Sequence, residues 1–422
     1  MKKNSISKTT FEDVNNNDSV SSKSINLEDV YKVVDKWLYL PDKRIIDVIL
    51  ATALTREARC GDHIFLFIVG NSGDAKSELI RCLDDLEAVN KAIKLDQLTS
   101  KAFVSGKKNA KDIGHFLNGK DMLILIPDMA NLSSLNKDTK REVWSQFRTL
   151  YDGYLYKTTG EGVETEKKYK NINVCIIAGT TPTIYNEYIV HSELGTRELL
   201  YLTDSKNNVE KSLKARDNRK YKNKMRNELK SIFYKFLEQK SFNNNIEIPK
   251  DIKEFITQET CKLSVLRAIA QTDPRYYELI NMVYPEIPTR ASIQFELLYI
   301  SLKSLQSNYP DKRFKEIIRH IVNSSGFQVR QDILNLFTNN TTEKYSLGQI
   351  RNKLRLGRDI TKRELEILWN MKVLNKTIET DFIGRKEVVD SKGNVIHSKA
   401  GRIQEITKYQ FNNNLDNPLK MM

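Results

Sequence analysis

Eight consecutive residues limit what this chain can fold into more than any other stretch: Gly70-Asn71-Ser72-Gly73-Asp74-Ala75-Lys76-Ser77. They follow the apolar run His63 to Val69 and precede a helix expected from Glu78 to Val89. The phosphate-loop pattern is G-x-x-x-x-G-K-[ST]. Gly70, Lys76 and Ser77 stand where it requires them, and Ala75 stands where the second glycine belongs. Such a loop turns backbone N–H groups inward at a helix N-terminus. It adds a lysine for the terminal phosphates and a hydroxyl for Mg²⁺. Position 75 has to be small so that the backbone can approach the phosphates, and alanine meets that need if its φ stays negative. A strand before and a helix after are the setting this chemistry needs. A nucleotide site therefore outweighs a plain strand-to-helix turn.

The flanking pattern extends the same reading. Leu123 to Ile126 and the stretch "NVCIIAGTTP" are short and apolar throughout, as strands buried on both faces are. Between them lie an expected helix from Lys137 to Tyr151 and an expected hairpin from Tyr154 to Lys170, with Gly160 and Gly162 near its tip. Upstream, "LEDVYKVVDKWLYL" and "PDKRIIDVILATALTREARCGD" have helical periodicity, with Pro41 able to open the second helix. Strand, helix and strand in alternation imply an α/β fold with a parallel sheet covered by helices.

No comparable strand is expected from about 205 to 325. This region reads as helices with the Asn-rich break "SFNNNIEIPKD". Within it, 206–240 carries 12 Lys or Arg against 4 Glu or Asp, a run most simply explained as a solvated helix face. From Gly326 the pattern suggests a small separate domain. "FQVRQDILNLF", "SLGQIRNKLRL" and "TKRELEILWNMKVL" are three amphipathic segments. Ser346 is a candidate cap for the second; Thr361, with Glu364 three residues on, is one for the third. Two β-like runs flank Asp390 to Asn394, a hairpin turn. Three helices and a hairpin is the order of a winged helix-turn-helix. The expected organisation is a disordered arm over 1–25, a nucleotide-binding core over 26–204, a helical lid or linker over 205–325 and a winged-helix domain over 326–422.

Composition narrows the partners. The net charge of +14 makes a polyanion, DNA first, a plausible partner; a lysine-rich surface serving solubility is the alternative. No apolar run reaches the length of a membrane span, and the basic start lacks the apolar core of a secretory signal. Cys60, Cys82, Cys175 and Cys261 are scattered, so neither a disulfide framework nor a zinc site is expected, in keeping with a reducing cytoplasm.

"GNSGDAKS", with Ala before Lys-Ser, resembles the Walker A loop of minichromosome maintenance (MCM) helicases, a group of AAA+ ATPases. The downstream order is similar: a Walker B-like strand, a helix, a hairpin, a sensor 1 strand and then "ELGTRELL". "WLYLPD", "LYDGY", "GTTP" and "LGTR" also resemble mobile-element ATPases that end in a winged helix. The resemblance runs from about Asp29 to Arg290. It implies an AAA+ P-loop sheet with a helical lid, working on ATP with Mg²⁺ in a homo-oligomer, a hexameric ring in the family.

Carried over residue by residue, Lys76 would contact the β- and γ-phosphates and Ser77 would ligate Mg²⁺, with Gly70, Asn71, Ser72, Gly73, Asp74 and Ala75 as the rest of the cradle. Thr181 would be sensor 1, Arg197 an arginine finger reaching a neighbouring subunit, and Arg290 a sensor 2 arginine. Walker B departs from the family: Pro127, Asp128 and Met129 follow the strand where Asp-Glu is expected. Asp128 is either the water-activating base or the metal carboxylate. The hairpin would lie in the ring channel, with Lys157, Lys167, Lys168 and Lys170 tracking phosphates. In the tail, Arg358, Lys362 and Arg363 open the third helix and Lys392 tips the wing, positions suited to DNA contacts. Two functions stay open on the sequence: a DNA-dependent helicase or translocase, or an ATP-switched DNA-binding regulator or loader that hydrolyses slowly or not at all.

Overall fold

A computed structural model describes residues 24–96, 98–99, 103–104, 112–157, 167–187, 196–204, 207–271, 273, 279–383, 387–389, 395–398, 402–414 and 417–419. Of the arm expected over 1–25, all but the last two residues lie outside them. The first half is built on strands β1 (Phe65–Val69), β2 (Ala92–Lys94), β3 (Asp121–Ile126), β4 (Leu155–Lys157), β5 (Lys167–Tyr169), β6 (Asn173–Thr180) and β7 (Glu198–Leu202). Five of these form one parallel sheet in the order β2-β3-β6-β1-β7. The fold is therefore α/β, as the alternation of strands and helices implies. β4 and β5 pair antiparallel, which is the base of the expected hairpin; its tip lies outside the described residues.

Both faces of the sheet are buried because its strands carry apolar residues at successive positions. Leu66 and Ile68 face a core with the helices Arg44–Thr55 and Thr289–Leu305. Phe65, Phe67 and Val69 face the other core, where Trp144 and Phe147 of the helix Lys137–Tyr151 pack edge-on or tilted against Phe67. The helix expected from 137 to 151 has those bounds, opened by the Asn136 side chain accepting from Thr139 N. Two strands escaped the sequence pattern: β2, only three residues long, and β7, buried inside the "LGTRELL" motif.

Two local expectations are corrected. The helix after the loop is not continuous: it runs Lys76–Arg81, then tightens through i→i+3 bonds at Leu83 and Asp84 before a second piece, Asp85–Ala88. The second N-terminal helix starts at Arg44, not at Pro41, because Asp42 accepts from both the Arg44 backbone and its guanidinium.

Among the described residues, 207–325 holds helices and no strand of the sheet. The helices Leu27–Trp37, Arg44–Thr55 and Asp311–Ser324 meet at Asp47, which is fully buried. Tyr31, Tyr309 and Arg313 all donate to its carboxylate, Tyr309 at 2.6 Å and Arg313 at 2.6 Å. Burial pushes that carboxyl above its usual range, and the Arg313 charge offsets part of the effect.

The tail contains helices Gln328–Thr338, Leu347–Leu354 and Arg358–Asn370. It also contains β8 (Tyr345–Ser346), β9 (Leu374–Ile383), β10 (Glu387–Val389), β11 (Val395–Ser398) and β12 (Arg402–Phe411). β9 and β12 pair antiparallel from Leu374↔Phe411 to Ile383↔Arg402, and β8 adds to the other edge of β12. The hairpin read around Asp390 is the β10–β11 pair beyond this longer one. Ser346 caps the second helix with Gln349 in a reciprocal capping box. Thr361 is not a cap. It is fully buried inside the third helix, its hydroxyl donating to Gly357 O at 2.7 Å, and Gly357 is the N-cap residue.

Candidate nucleotide site

The loop 70–77 joins the C-terminal end of β1 to the N-terminus of the helix Lys76–Arg81. Gly70 is required by crowding: a Cβ there would lie 2.0 Å from Thr203 Oγ1. Gly73 has φ +89° and Ala75 has φ +55°. The condition placed on alanine at 75, a negative φ, is therefore not met. Ala75 adopts the left-handed conformation that a glycine would hold without cost.

The Asp74 side chain does not face the loop's concavity. It is buried and accepts from Thr203 Oγ1 at 2.8 Å, from Asn71 N at 3.2 Å and from Lys211 Nζ at 2.9 Å. Burial alone would raise this carboxyl; the hydrogen bonds from Lys211 and Thr203 outweigh it and hold the group below its usual range. Asp74 thus braces the loop from behind. Thr203 and Lys211 are part of this site without any local sign in the sequence: Lys211 lies 137 positions from Asp74. Asn71, Ser72 and Gly73 are exposed or turn outward at the loop's crown.

Lys76 is 8% exposed, and its Nζ donates to Gly70 O and Asn71 O, each at 2.7 Å. Burial lowers its pKa, while the negative charges of Asp74 and Asp128 act in the opposite direction. Ser77 Oγ donates to Pro127 O at 3.0 Å, so the hydroxyl expected to hold Mg²⁺ touches the segment that carries Asp128. That segment is pinned to β6 by Met129 N donating to Gly179 O at 2.8 Å, and β6 to the loop by Gly70 N donating to Thr180 O at 3.1 Å. Gly179 permits this approach, since a Cβ there would sit 2.6 Å from Pro127 O. Asp128 is exposed, and Thr181 Oγ1 hydrogen-bonds Thr183 Oγ1 at 2.7 Å. Because β6 lies between β1 and β3, Lys76, Ser77, Asp128 and Thr181 gather at one end of the sheet.

Arg197 and Arg290 lie elsewhere. Arg197 precedes β7, beside Phe65 at the other end of β1. About 13 Å of strand separates that end from the loop. Arg197 is 6% exposed; its guanidinium sits 3.3 Å from both Asp152 oxygens and lies over the Tyr151 ring. Burial, then the neighbouring Arg290 charge, lowers its pKa, and Asp152 opposes them. Arg290 covers the same Tyr151 ring and donates to Thr196 O and Glu286. The two arginines are thus neighbours of each other and not of Lys76.

The hairpin and tail positions divide. Lys167 is largely buried in an ion pair with Asp112 at 2.8 Å, while Lys168 and Lys170 are exposed. Lys157 is the last residue of β4. Tyr156, half exposed beside Lys168, lies with its ring centroid 4.9 Å from that of Tyr154 in a tilted pair with no signature in the local sequence pattern. Arg358 is exposed at the start of the third tail helix; Lys362 is partly covered and Arg363 pairs with Glu364 at 3.0 Å. Lys392 lies outside the described residues.

Among the described residues, no helix is long and apolar enough to cross a membrane. Compared with known proteins, the chain matches no family model and no curated relative.

Proposed function

We propose that this chain is a DNA-dependent AAA+ ATPase, an oligomeric MCM-like helicase, translocase or replication initiator, with a winged-helix tail that binds DNA. The observation that supports this best is the gathering of Lys76, Ser77, Asp128 and Thr181 at one end of a parallel sheet, around a loop at a helix N-terminus. The donor set fits a nucleoside triphosphate. A buried ammonium, the N–H groups of the helix start and a small left-handed residue form an anion cradle. Lys76 would hold the β- and γ-phosphates, and Ser77 with Asp128 would hold Mg²⁺. Mg²⁺ supplies charge neutralisation on the phosphate oxygens. Thr181 would orient the attacking water.

In the tail, three helices, an antiparallel sheet of order β8-β12-β9 and an exposed Arg358 support the winged-helix reading. The test is turnover of the full chain with Mg²⁺ and ATP, alone, with single-stranded DNA and with duplex DNA. The motor reading expects turnover that rises strongly with DNA and is abolished in Lys76→Ala. A Lys76→Ala chain that binds a labelled ATP analogue as well as the native one would sink the nucleotide reading.

The second reading, an ATP-switched regulator or loader, is favoured by the single carboxylate at Asp128. Phosphoryl transfer rests on positioning and charge, and one carboxylate has to serve where two usually do. DNA binding that depends on ATP, with turnover indifferent to DNA, would select it.

A further inference from the structure

The basic run at 206–240 is not a uniformly solvated face. Its described cations up to Lys230 fall into two sets. Lys211, Lys214, Arg226 and Lys230 point inward and are engaged: on Asp74, on Asp35 O at 2.8 Å, on Glu78 at 2.5 and 2.8 Å, and on Asp84 at 3.2 Å. Lys211, Arg226 and Lys230 clamp the helices Asn208–Asp217 and Lys222–Glu238 onto the phosphate loop and the turns that follow it, and Lys214 ties the first of them to the helix Leu27–Trp37. Arg216, Arg219, Lys220, Lys222 and Lys224 are all exposed, and none ion-pairs with a carboxylate among the described residues. Over 216–224 these five cations face one acid, Asp217.

Amid them, at the joint between the two helices, stands Tyr221, half exposed, its ring centroid 6.5 Å from that of Trp37 and tilted 51° to it. The first of these helices buries none of its residues and is anchored by Lys211 on Asp74 and Lys214 on Asp35 O. A strip of exposed cations around a half-exposed aromatic ring has the two parts that bind a single strand: charge along the backbone and a platform for a base.

We propose that the face 216–224 is a nucleic-acid site of its own, separate from the tail, which takes the phosphate backbone of a single strand and stacks one base on Tyr221. A membrane surface fits less well, because Val209 and Leu213 are the exposed apolar residues of the first helix and give little to insert. The inference does not rest on the ATPase reading. It does have a consequence for the cleft. Trp37 lines the same cavity as Asp74, Lys211 and Lys214, so a strand on this face would press on the elements that brace the loop.

The experiment titrates a fluorescein-labelled oligothymidylate against the full chain by anisotropy at several salt concentrations. Removing three charges together (Arg219→Gln, Lys220→Gln, Lys224→Gln) should flatten the slope of log affinity against log salt by about 2, at roughly 0.7 per phosphate contact. Tyr221→Ser should weaken binding about tenfold, the order of one base–aromatic stack, and leave the slope unchanged. Circular dichroism confirms that both variants fold, and binding of a labelled ATP analogue by the same variants keeps failure here distinct from failure at the phosphate loop. Unchanged affinity and slope in the triple variant overturn the proposal. So does a slope that falls only when Arg358 and Lys362 are replaced. Loss of binding to phosphatidylserine vesicles with oligonucleotide binding intact would assign the face to a membrane and overturn it equally.

Discussion

Ala75 shows how a single residue can satisfy a motif in one respect and strain it in another. Its small side chain admits the close backbone approach that the loop needs, yet its φ of +55° puts a Cβ where only glycine is free of cost. The left-handed conformation costs an alanine about 1–2 kcal/mol, and the greater unfolded-state freedom of glycine returns about 0.5–1 kcal/mol of that. Ala75→Gly should therefore raise stability by about 0.5–1 kcal/mol in urea denaturation with an unchanged m-value. A loss of stability would mean that the Cβ contributes packing that outweighs the strain. Asp128 carries the complementary expectation. It directly follows Pro127, whose carbonyl accepts from Ser77, so Asp128→Asn should stop hydrolysis while leaving nucleotide binding largely intact. Turnover at the native rate in that variant would place the base elsewhere.

At the scale of elements, the tail is tied to the helical region before it by a buried ion. Arg330, 1% exposed, donates to Val265 O, Leu266 O and Ala268 O at the end of the helix Lys250–Arg267 and to Glu364 at 2.8 Å. A guanidinium is suited to such a place because its fixed fork satisfies several acceptors at once, and the C-terminal carbonyls of a helix favour a cation. Gly326 lets the chain pass, since a Cβ there would sit 2.5 Å from Leu266 Cβ. Arg330→Met leaves Glu364 with only the part-exposed Arg363 as a cation partner, so the change should cost less than the about 3–5 kcal/mol of a fully broken buried pair. The expected result is a separate, earlier unfolding transition of the tail in denaturant, with faster proteolytic cleavage near 326. One unshifted transition would show that the two parts are held by apolar packing alone.

The same elements show what the sequence made legible. Lys137–Tyr151 could be read to both ends, because an Asn cap and a strong apolar stripe coincide. Thr361 and Glu364 have capping-box spacing, but one helical turn too late: Gly357 opens the helix and leaves Thr361 to bury its hydroxyl against the backbone. β9 and β12 lack a clear strand signal because Thr, Glu, Lys and Asp interrupt their apolar alternation, and even Ile378 is 67% exposed. At the site, local residues were legible and distant braces were not. Gly70, Lys76 and Ser77 announce themselves in eight residues, whereas Thr203 and Lys211 reach Asp74 only through the fold.

For the whole molecule, the placement of Arg197 decides how subunits would cooperate. It stands at the end of β1 opposite the phosphate loop, so it cannot serve phosphates bound by its own chain without crossing the sheet. An arginine finger acts on transition-state charge and is worth on the order of 10³ or more in turnover. If Arg197 is such a finger, it acts on a neighbour's ATP, and its hold on Asp152 and Tyr151 is a resting position that assembly must release. Arg197→Ala subunits and Lys76→Ala subunits should each be inactive alone. Mixed, they should recover part of the turnover, because some interfaces join an intact Lys76 to an intact Arg197. Recovery should follow the mixing ratio and vanish on dilution below the assembly concentration. Co-assembly without recovery at any ratio would make Arg197 a structural partner of Asp152, and its replacement should then lower stability in the isolated chain, read by the same urea denaturation.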